Sequence, residues 1–172
     1  AATFKEFVQK IKPSGKLFIK KGLPFDGITY GVNEPADYSA LKVRILKGAY
    51  CFDVQTPSEL IENVHFSLPG VHNLSNALAA MAMALEFGCS ASGLVKALES
   101  YKGVQRRFTY QIKTEDFVFI DDYAHHPTEI NAVHQAVREM YPAKKVAVVF
   151  QPHLFSRTRD FIDEFAASLS QF

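Results

Sequence analysis

The sequence predicts an α/β protein made of two parts: a strand-rich first part, and a second part in which strands and helices alternate. Residues 16–67 carry several short runs of β-forming residues that Gly and Pro turns separate. After residue 116, two apolar strand-like runs alternate with two helical patterns, and such a β-α-β-α order requires a parallel sheet. We place the boundary near Lys102–Arg107, so that the parts are residues 1–104 and 105–172.

The composition is typical of a globular protein with a hydrophobic core. Of the 172 residues 48% are hydrophobic and 22% are charged, and the formal net charge is +1. This charge balance gives no basis for a nucleic-acid or membrane-surface partner, and no apolar run approaches the roughly 20 residues of a membrane span. Cys51 and Cys89 lack the spacing of a disulfide framework or a thiolate zinc site, and no signal-peptide pattern is visible. We therefore expect a cytoplasmic protein.

The first part contains an amphipathic helix, several strands and two further helices. Residues 3–11 place Phe4, Phe7, Val8 and Ile11 on one helical face. The run from Leu74 to Phe87 is almost wholly apolar or small, which predicts a buried helix that ends before Gly88. The other predicted elements are strands over 16–20, 27–32 and 60–67, two strands within 38–55 with a turn near Lys47-Gly48, and a helix over 90–101.

The second part is predicted to contain two buried parallel strands, each followed by a helix. The strands are residues 117–120 and 145–150, and the helices are residues 127–141 and 158–170. Ligands bind beyond the carboxyl ends of the strands in such sheets, and helix N-termini there favour anions. The polar residues that follow the two strands are Asp121, Asp122, Tyr123, His125 and His126, and Gln151, His153, Arg157 and Arg159. We expect them to converge on one edge of the sheet.

Structural explanations exist for single residues of this set. Pro127 suits the first position of a helix, and His126 can simply be the residue before it. An Asp at the end of a strand often forms a turn or a cap. One junction needs one cap rather than five polar groups, so we interpret the cluster as a ligand site. A metal-dependent hydrolase is an alternative because Asp and His bind metals, although the stretch lacks helical i,i+4 ligand spacing and a further acidic cluster.

Two further features carry polar side chains with a choice of roles. Asn73 is either a helix N-cap or a site residue. Asn76 lies three residues later on the same face of an apolar helix, where a buried carboxamide needs partners and suits the edge of a purine. Arg106 and Arg107 lie at the link between the parts, where a guanidinium can clamp a phosphate or be a surface charge.

Four motifs, GVHNLSNALAAMAMA, GVQRRF, DDYAHHPTEI and FQPHLFSRTRD, occur in this order and together resemble the Mur ligases of peptidoglycan synthesis. The resemblance is strong from about Pro69 onward and weak over residues 1–68. It implies the end of a P-loop-type central ATPase domain followed by a partial Rossmann-like domain. The chain has no G-x-x-x-x-G-K-[ST] string. We therefore expect the phosphate loop, the magnesium ligands and the UDP-binding domain to lie outside it, and the isolated chain to be inactive.

The resemblance implies an ATP- and Mg²⁺-dependent amide ligase. The Tyr of DDYAHHPTE and the FQPH…SRTRD run fit best the branch that joins L-alanine to UDP-N-acetylmuramate through an acyl phosphate. The alternatives are the branch that adds a tripeptide to the same UDP-sugar acid, and a nucleotide-binding module without catalysis.

The resemblance also implies roles for individual residues. It assigns the nucleotide to Asn76 at the adenine, Asn73 beside it, Arg107 at a phosphate and Asp122 at the ribose hydroxyls. It assigns the substrates to Tyr123 and His153 near the incoming L-alanine, and to His125 and Arg157 at the muramoyl group, with His125, His153 and Arg157 as catalytic candidates. No metal ligand is expected within the chain. The role of Arg159 is less defined, and Leu154 stands where many relatives carry a basic residue. A hinge is expected near Lys102–Gly103.

Overall fold

The computed structural model describes residues 2–46 and 49–172, which fall into two compact units. The first unit comprises the described residues up to Ser67 together with Leu74–Tyr101. The second comprises Leu68–Asn73 and Lys102–Phe172. The turn predicted at Lys47-Gly48 lies outside the described residues.

The first unit is built on a mixed sheet of five strands in the order β1-β2-β3-β4-β5. The strands β1 to β3 pair in parallel, whereas β3, β4 and β5 pair antiparallel. The elements are helix α1 (Ala2–Gln9) and the strands β1 (Phe18–Lys20), β2 (Ile28–Val32), β3 (Tyr38–Leu46), β4 (Ala49–Gln55) and β5 (Leu60–Phe66). The predicted strands of this part are confirmed because each apolar run finds a neighbour to pair with.

The buried carboxylate of Asp53 bonds to residues at two irregularities of this sheet, where the pairing of β4 with β3 and with β5 shifts register. Asp53 is only 4% exposed, and it forms an ion pair with Lys42 Nζ at 2.8 Å and accepts a hydrogen bond from the Asn63 N–H at 3.0 Å. Lys42 and Asn63 have left-handed φ values of 52° and 55°, at or beside the register shifts that flank Asp53. The hydrogen bonds from Lys42 and from the Asn63 N–H hold the pKa of Asp53 below its usual value.

Helix α2 (Val71–Glu86) is the apolar helix that the sequence predicts, and α3 (Ala91–Ser100) follows it. In α2, the residues Leu74, Leu78 and Met81 recur at helical spacing and are buried, so this face of α2 is part of the core. Gly88 follows the end of the helix with φ +86°, as expected of a residue that terminates a helix. The helix has 16 residues, and no helix in the described chain is long and apolar enough to span a membrane.

The second unit has a two-stranded antiparallel sheet and three helices. The sheet pairs β6 (Thr109–Lys113) with β7 (Val118–Asp121), and the helices are α4 (Pro127–Met140), α5 (Phe155–Asp160) and α6 (Ile162–Leu169). Its core is formed by Phe108, Ala136 and Val137, with Tyr110 and Ile120 packed against them. The helix α4 starts as its sequence predicts, because Pro127 is its first residue and the His126 ring accepts a hydrogen bond from the Thr128 N–H at 3.3 Å.

The α/β class is confirmed, but one pairing predicted for the second part is wrong. Residues 145–150 form no strand, and Val149 is 99% exposed. The strand β7 instead pairs antiparallel with β6, a strand that the sequence pattern did not predict. A run of β-forming residues becomes a strand only where another strand supplies hydrogen-bond partners, and among the described residues none lies beside 145–150. The helix predicted over 158–170 starts earlier and is interrupted at Phe161.

Candidate functional site

Three rings from two separate loops of the second unit form the centre of the site. Tyr123 and His125 follow β7, and His153 precedes α5. The ring centroids of Tyr123 and His125 lie 5.0 Å apart, and the His153 ring lies 6.1 Å from Tyr123 and 6.4 Å from His125. We call these three side chains the ring cluster. The convergence predicted for these residues therefore occurs although residues 145–150 do not form the expected strand.

The contacts of His125 set which of its ring nitrogens carries the proton. Its Nδ1 lies 2.8 Å from the carbonyl oxygen of Tyr123 and 3.4 Å from Glu129 Oε2. Both oxygens accept hydrogen bonds, so Nδ1 is the protonated nitrogen. Glu129 Oε2 also accepts a hydrogen bond from the backbone N–H of His125 at 2.9 Å. In the neutral ring the remaining nitrogen, Nε2, is therefore free to accept a proton.

Arginine 157 is fixed beside the ring cluster by the backbone. Its Nη1 donates to the carbonyl oxygen of His125 at 3.4 Å, and its side chain is half-buried. Leu154 precedes α5 with φ +73°, an unusual conformation for a branched residue. Arg159, by contrast, is exposed and pairs with the adjacent Asp160 at 2.8 Å. The structure therefore joins Arg157, but not Arg159, to the cluster.

The carboxylate of Asp122 holds two backbone amides. Its Oδ2 accepts from the Phe108 N–H and its Oδ1 from the Ala124 N–H, each at 2.7 Å. Phe108 is buried and has φ +50°, so Asp122 stabilises a strained residue at the start of the second unit. Each carboxylate oxygen has a second lone pair, so these bonds leave acceptor capacity for hydroxyl groups.

The two asparagines differ from what the sequence predicts. Asn73 is the third residue of α2 rather than its N-cap, and its Nδ2 donates to the carbonyl oxygen of Pro69 at 2.6 Å. Asn76 is exposed, so the argument that a buried carboxamide needs partners is wrong for it. The residues one turn after Asn76 on the same face of α2 are Ala79 and Ala80. They are apolar, but their side chains are too small to shield the Asn76 carboxamide from solvent. Within the described chain, the Asn76 carboxamide forms no hydrogen bond.

Arg107 presents an exposed guanidinium. Its backbone N–H donates to the carbonyl oxygen of Val104 at 3.1 Å, and its side chain forms no ion pair with any residue that the structure describes. An exposed and unpaired guanidinium suits a phosphate, because no internal ion pair must break when the anion binds.

Sequence reasoning missed one residue near these groups, His72. Partial burial lowers the pKa of His72, while the carboxylates of Asp122 and Glu139 oppose this shift and the charge of Arg107 reinforces it. The His72 ring lies against Gly70, where an added Cβ atom would be only 2.5 Å from His72 Cε1. The φ angle of Gly70 and the ring contact are properties of the fold, so the sequence contained no signal for them.

Among residues 2–46 and 49–172 no group of three or more His, Cys, Asp or Glu side chains is arranged to hold a metal ion. The polar groups that are present, a free guanidinium, a carboxylate with spare lone pairs and the ring cluster, suit a nucleotide and polar small molecules.

Two family models match the chain over most of its length. Residues 8–84 match the Mur ligase middle domain, and residues 106–172 match the Mur ligase glutamate ligase domain. A likeness to solved structures extends over both matches. The chain resembles the UDP-N-acetylmuramate–alanine ligase of Thermotoga maritima with a TM-score of 0.71 and 29% identity, over 84% of this chain and 32% of that one.

Curated relatives are similar over nearly the whole chain. The chain is 61% identical to the UDP-N-acetylmuramate–L-alanine ligase of Christiangramia forsetii over 99% of its length, and 60% identical to that of Flavobacterium johnsoniae over 99%. It spans 38% of the length of each of these relatives. With two domain models of one family on consecutive stretches and the site geometry in place, the chain belongs to the Mur ligase family.

Proposed function

We propose that this chain is part of an ATP-dependent ligase that joins L-alanine to UDP-N-acetylmuramate in peptidoglycan precursor synthesis. The observation that carries the proposal is the 61% identity, over 99% of the chain, to a relative named for that reaction. The ring cluster beside Arg157 supports it, since polar and aromatic groups converge where small polar substrates have to be oriented.

The proposed division of labour follows from what each group can bind. Arg107 binds a phosphate of ATP with its free guanidinium, and Asp122 accepts hydrogen bonds from the ribose hydroxyls with its spare lone pairs. Asn76 offers its exposed carboxamide to the adenine, and Asn73 orders the start of the helix beside it. These four residues are the ones to which we assign nucleotide binding.

We assign the ring cluster and Arg157 to the binding of L-alanine and the muramoyl group. In the first step of the proposed reaction, the γ-phosphoryl group of ATP is transferred to the muramoyl carboxylate, which gives an acyl phosphate and ADP. The amine of L-alanine then attacks the acyl carbon, the new C–N bond forms, and inorganic phosphate leaves with the electrons of the C–O bond.

Two groups of this chain serve the second step. The amine must lose a proton as it attacks, and the free Nε2 of His125 is a suitable acceptor. Arg157 is placed to stabilise the negative charge that develops on oxygen. Tyr123 and His153 orient the incoming amino acid.

We also propose that the full-length protein binds Mg²⁺ and acts in the cytoplasm. Magnesium, when bound, neutralises phosphate charge. The described residues would contribute to its site only indirectly, through phosphates that Arg107 holds. The family membership supports both proposals, because the reaction consumes ATP and a UDP-linked sugar acid.

The experiment measures phosphate release by the full-length protein with ATP and UDP-N-acetylmuramate, offered L-alanine or the tripeptide. We expect turnover with L-alanine and, in Arg107→Ala, a loss of kcat/KM for ATP of about 100-fold, which a lost charge-assisted phosphate contact can cause. Arg44→Ala, an exposed arginine of β3, is the matched control and should keep the activity. Turnover only with the tripeptide would assign the chain to the other branch, and no turnover with either amine would refute the proposal.

A further inference from the structure

Arg106 makes two contacts with Tyr123 and one with Asp121, the last residue of β7. Its carbonyl oxygen accepts a hydrogen bond from the Tyr123 N–H at 2.8 Å. Its guanidinium carbon lies 5.0 Å from the centre of the Tyr123 ring, within the range of a cation–π contact. Its Nε lies 3.6 Å from Asp121 Oδ2. Both the backbone and the side chain of Arg106 thus contact Tyr123.

The backbone of Arg106 is unusual in a way that favours these contacts. Its φ is +58°, in the left-handed region that L-residues with long side chains rarely adopt. A non-glycine residue stays in such a conformation only where its surroundings compensate for the strain. The hydrogen bond from Tyr123 is one such compensation.

Tyr123 is consequently bounded by different partners. The guanidinium of Arg106 lies over its ring, and the imidazoles of His125 and His153 lie 5.0 and 6.1 Å from its centre. The Arg106 side chain itself is 62% exposed, and it is not a member of the ring cluster.

We propose that Arg106 is a positioning residue that fixes the ring of Tyr123 and thereby the binding of the incoming amine. This proposal rests on the proposed function, because it assigns Tyr123 to the amine. Arg106 does not contact the nucleotide in this assignment, in contrast to the adjacent Arg107. The two neighbouring arginines therefore serve different substrates.

A bland alternative is that Arg106 is only a surface charge. Exposed ion pairs contribute little on their own, so the pair with Asp121 does not argue for a role. The stacking on Tyr123 together with the backbone hydrogen bond to the same residue is the difference from an ordinary surface arginine.

The kinetic test is a double-mutant cycle in the full-length protein with Arg106→Ala, Tyr123→Ala and both changes together. We expect Arg106→Ala to raise KM for L-alanine roughly three- to fivefold, the factor that one exposed cation–π contact supplies, with KM for ATP unchanged. In the Tyr123→Ala background the same change should have no further effect. Arg106→Lys, which keeps the charge, should recover part of the loss.

Lys113→Ala is the matched control, since Lys113 Nζ lies 4.4 Å from the centre of the Tyr110 ring, outside the ring cluster. It should leave KM for L-alanine unchanged. The proposal would be overturned if Arg106→Ala raised KM for L-alanine equally with Tyr123 present and with Tyr123→Ala. It would also be overturned if Arg106→Ala raised KM for ATP in parallel.

A second measurement needs no activity. With ¹³C-labelled tyrosine rings, Arg106→Ala should shift the ring signal of Tyr123, whereas Lys113→Ala should shift that of Tyr110 only. If the protein lacks ligase activity but the Tyr123 signal shifts, the proposed function fails and the positioning of the ring stands. If the Tyr123 signal does not respond to Arg106→Ala, the positioning proposal is wrong whatever the activity.

Discussion

The carboxylate of Asp122 should stabilise the second unit independently of any ligand. Asp122→Ala removes two hydrogen bonds of 2.7 Å that backbone N–H groups donate to a charged acceptor. Such bonds contribute about 1.5–3 kcal/mol each, which gives a ceiling of about 6 kcal/mol. Asp122 is half-exposed, so water replaces part of the loss, and we expect about 2–4 kcal/mol.

The bond to Phe108 should carry the larger share of this effect. Phe108 is buried, so its N–H loses its partner with little access to water, and its φ of +50° adds a strain of about 1–2 kcal/mol that the bond helps to offset. Asp122→Asn keeps one acceptor oxygen, which can serve the N–H of either Ala124 or Phe108. The NH₂ group of the new side chain then faces the other N–H and cannot accept from it. We expect Asp122→Asn to lose about half as much stability as the alanine variant.

Amide hydrogen exchange measures this directly. In Asp122→Ala the protection of the Phe108 amide should fall by a factor of about 30 to 700, which is 2–4 kcal/mol converted at about 1.4 kcal/mol per factor of ten. Asp121→Ala is the control, because its contact with Arg106 at 3.6 Å is a partly exposed ion pair of little worth. Unchanged protection of Phe108 in Asp122→Ala would refute the reasoning.

Two further predictions concern stability. Gly70→Ala should destabilise more than Gly22→Ala: both glycines have φ +91°, but a Cβ at Gly70 would lie 2.5 Å from His72 Cε1 and 3.2 Å from Ala136 Cβ, whereas one at Gly22 meets nothing within 4 Å. Thermal unfolding of both variants tests this, and equal losses would contradict the predicted collision. Asp53→Asn should lower the melting temperature near neutral pH, and the difference from the parent should shrink as the pH falls below about 3.8. The pKa of Asp53 is lowered in the folded state by Lys42, so its stabilisation is present above the unfolded pKa and is lost as the pH falls through the folded one. A difference that does not depend on pH would contradict this assignment.

The Asp122 bonds also affect how activity data are interpreted. Because Asp122 supports Phe108, a loss of ligase activity in Asp122→Ala reports on stability as well as on nucleotide binding. The side chain of Arg107 forms no ion pair with the described residues, so Arg107→Ala should fold normally and is the cleaner probe of the proposed phosphate contact.

The elements with strong local patterns were predictable from the sequence. The strands of the first unit, the apolar helix α2 and the start of α4 at Pro127 follow from periodicity, turn residues and capping preferences, which are properties of neighbouring residues. The loop residues Tyr123, His125 and His153 were predicted to converge, and the structure brings their rings together.

Other features depended on partners that are distant in the sequence. Residues 145–150 have the composition of a buried strand but find no strand to pair with in the described chain, and β6 became a strand because β7 lies beside it. Asn76 was expected to be buried because its neighbours are apolar, yet its own side of the helix is exposed. Burial is a property of packing, which neighbouring residues do not determine.

The sequence by itself determined the α/β class, most of the helices and strands, and the membership of the Mur ligase family through four motifs in a fixed order. Only the tertiary structure decided that Asp122 holds a strained Phe108, that Nδ1 of His125 is its protonated nitrogen, and that Arg106 lies over Tyr123. The reason is physical: a motif specifies which chemical groups are present, whereas hydrogen bonds and ring contacts depend on distances that arise only when separate segments fold against each other.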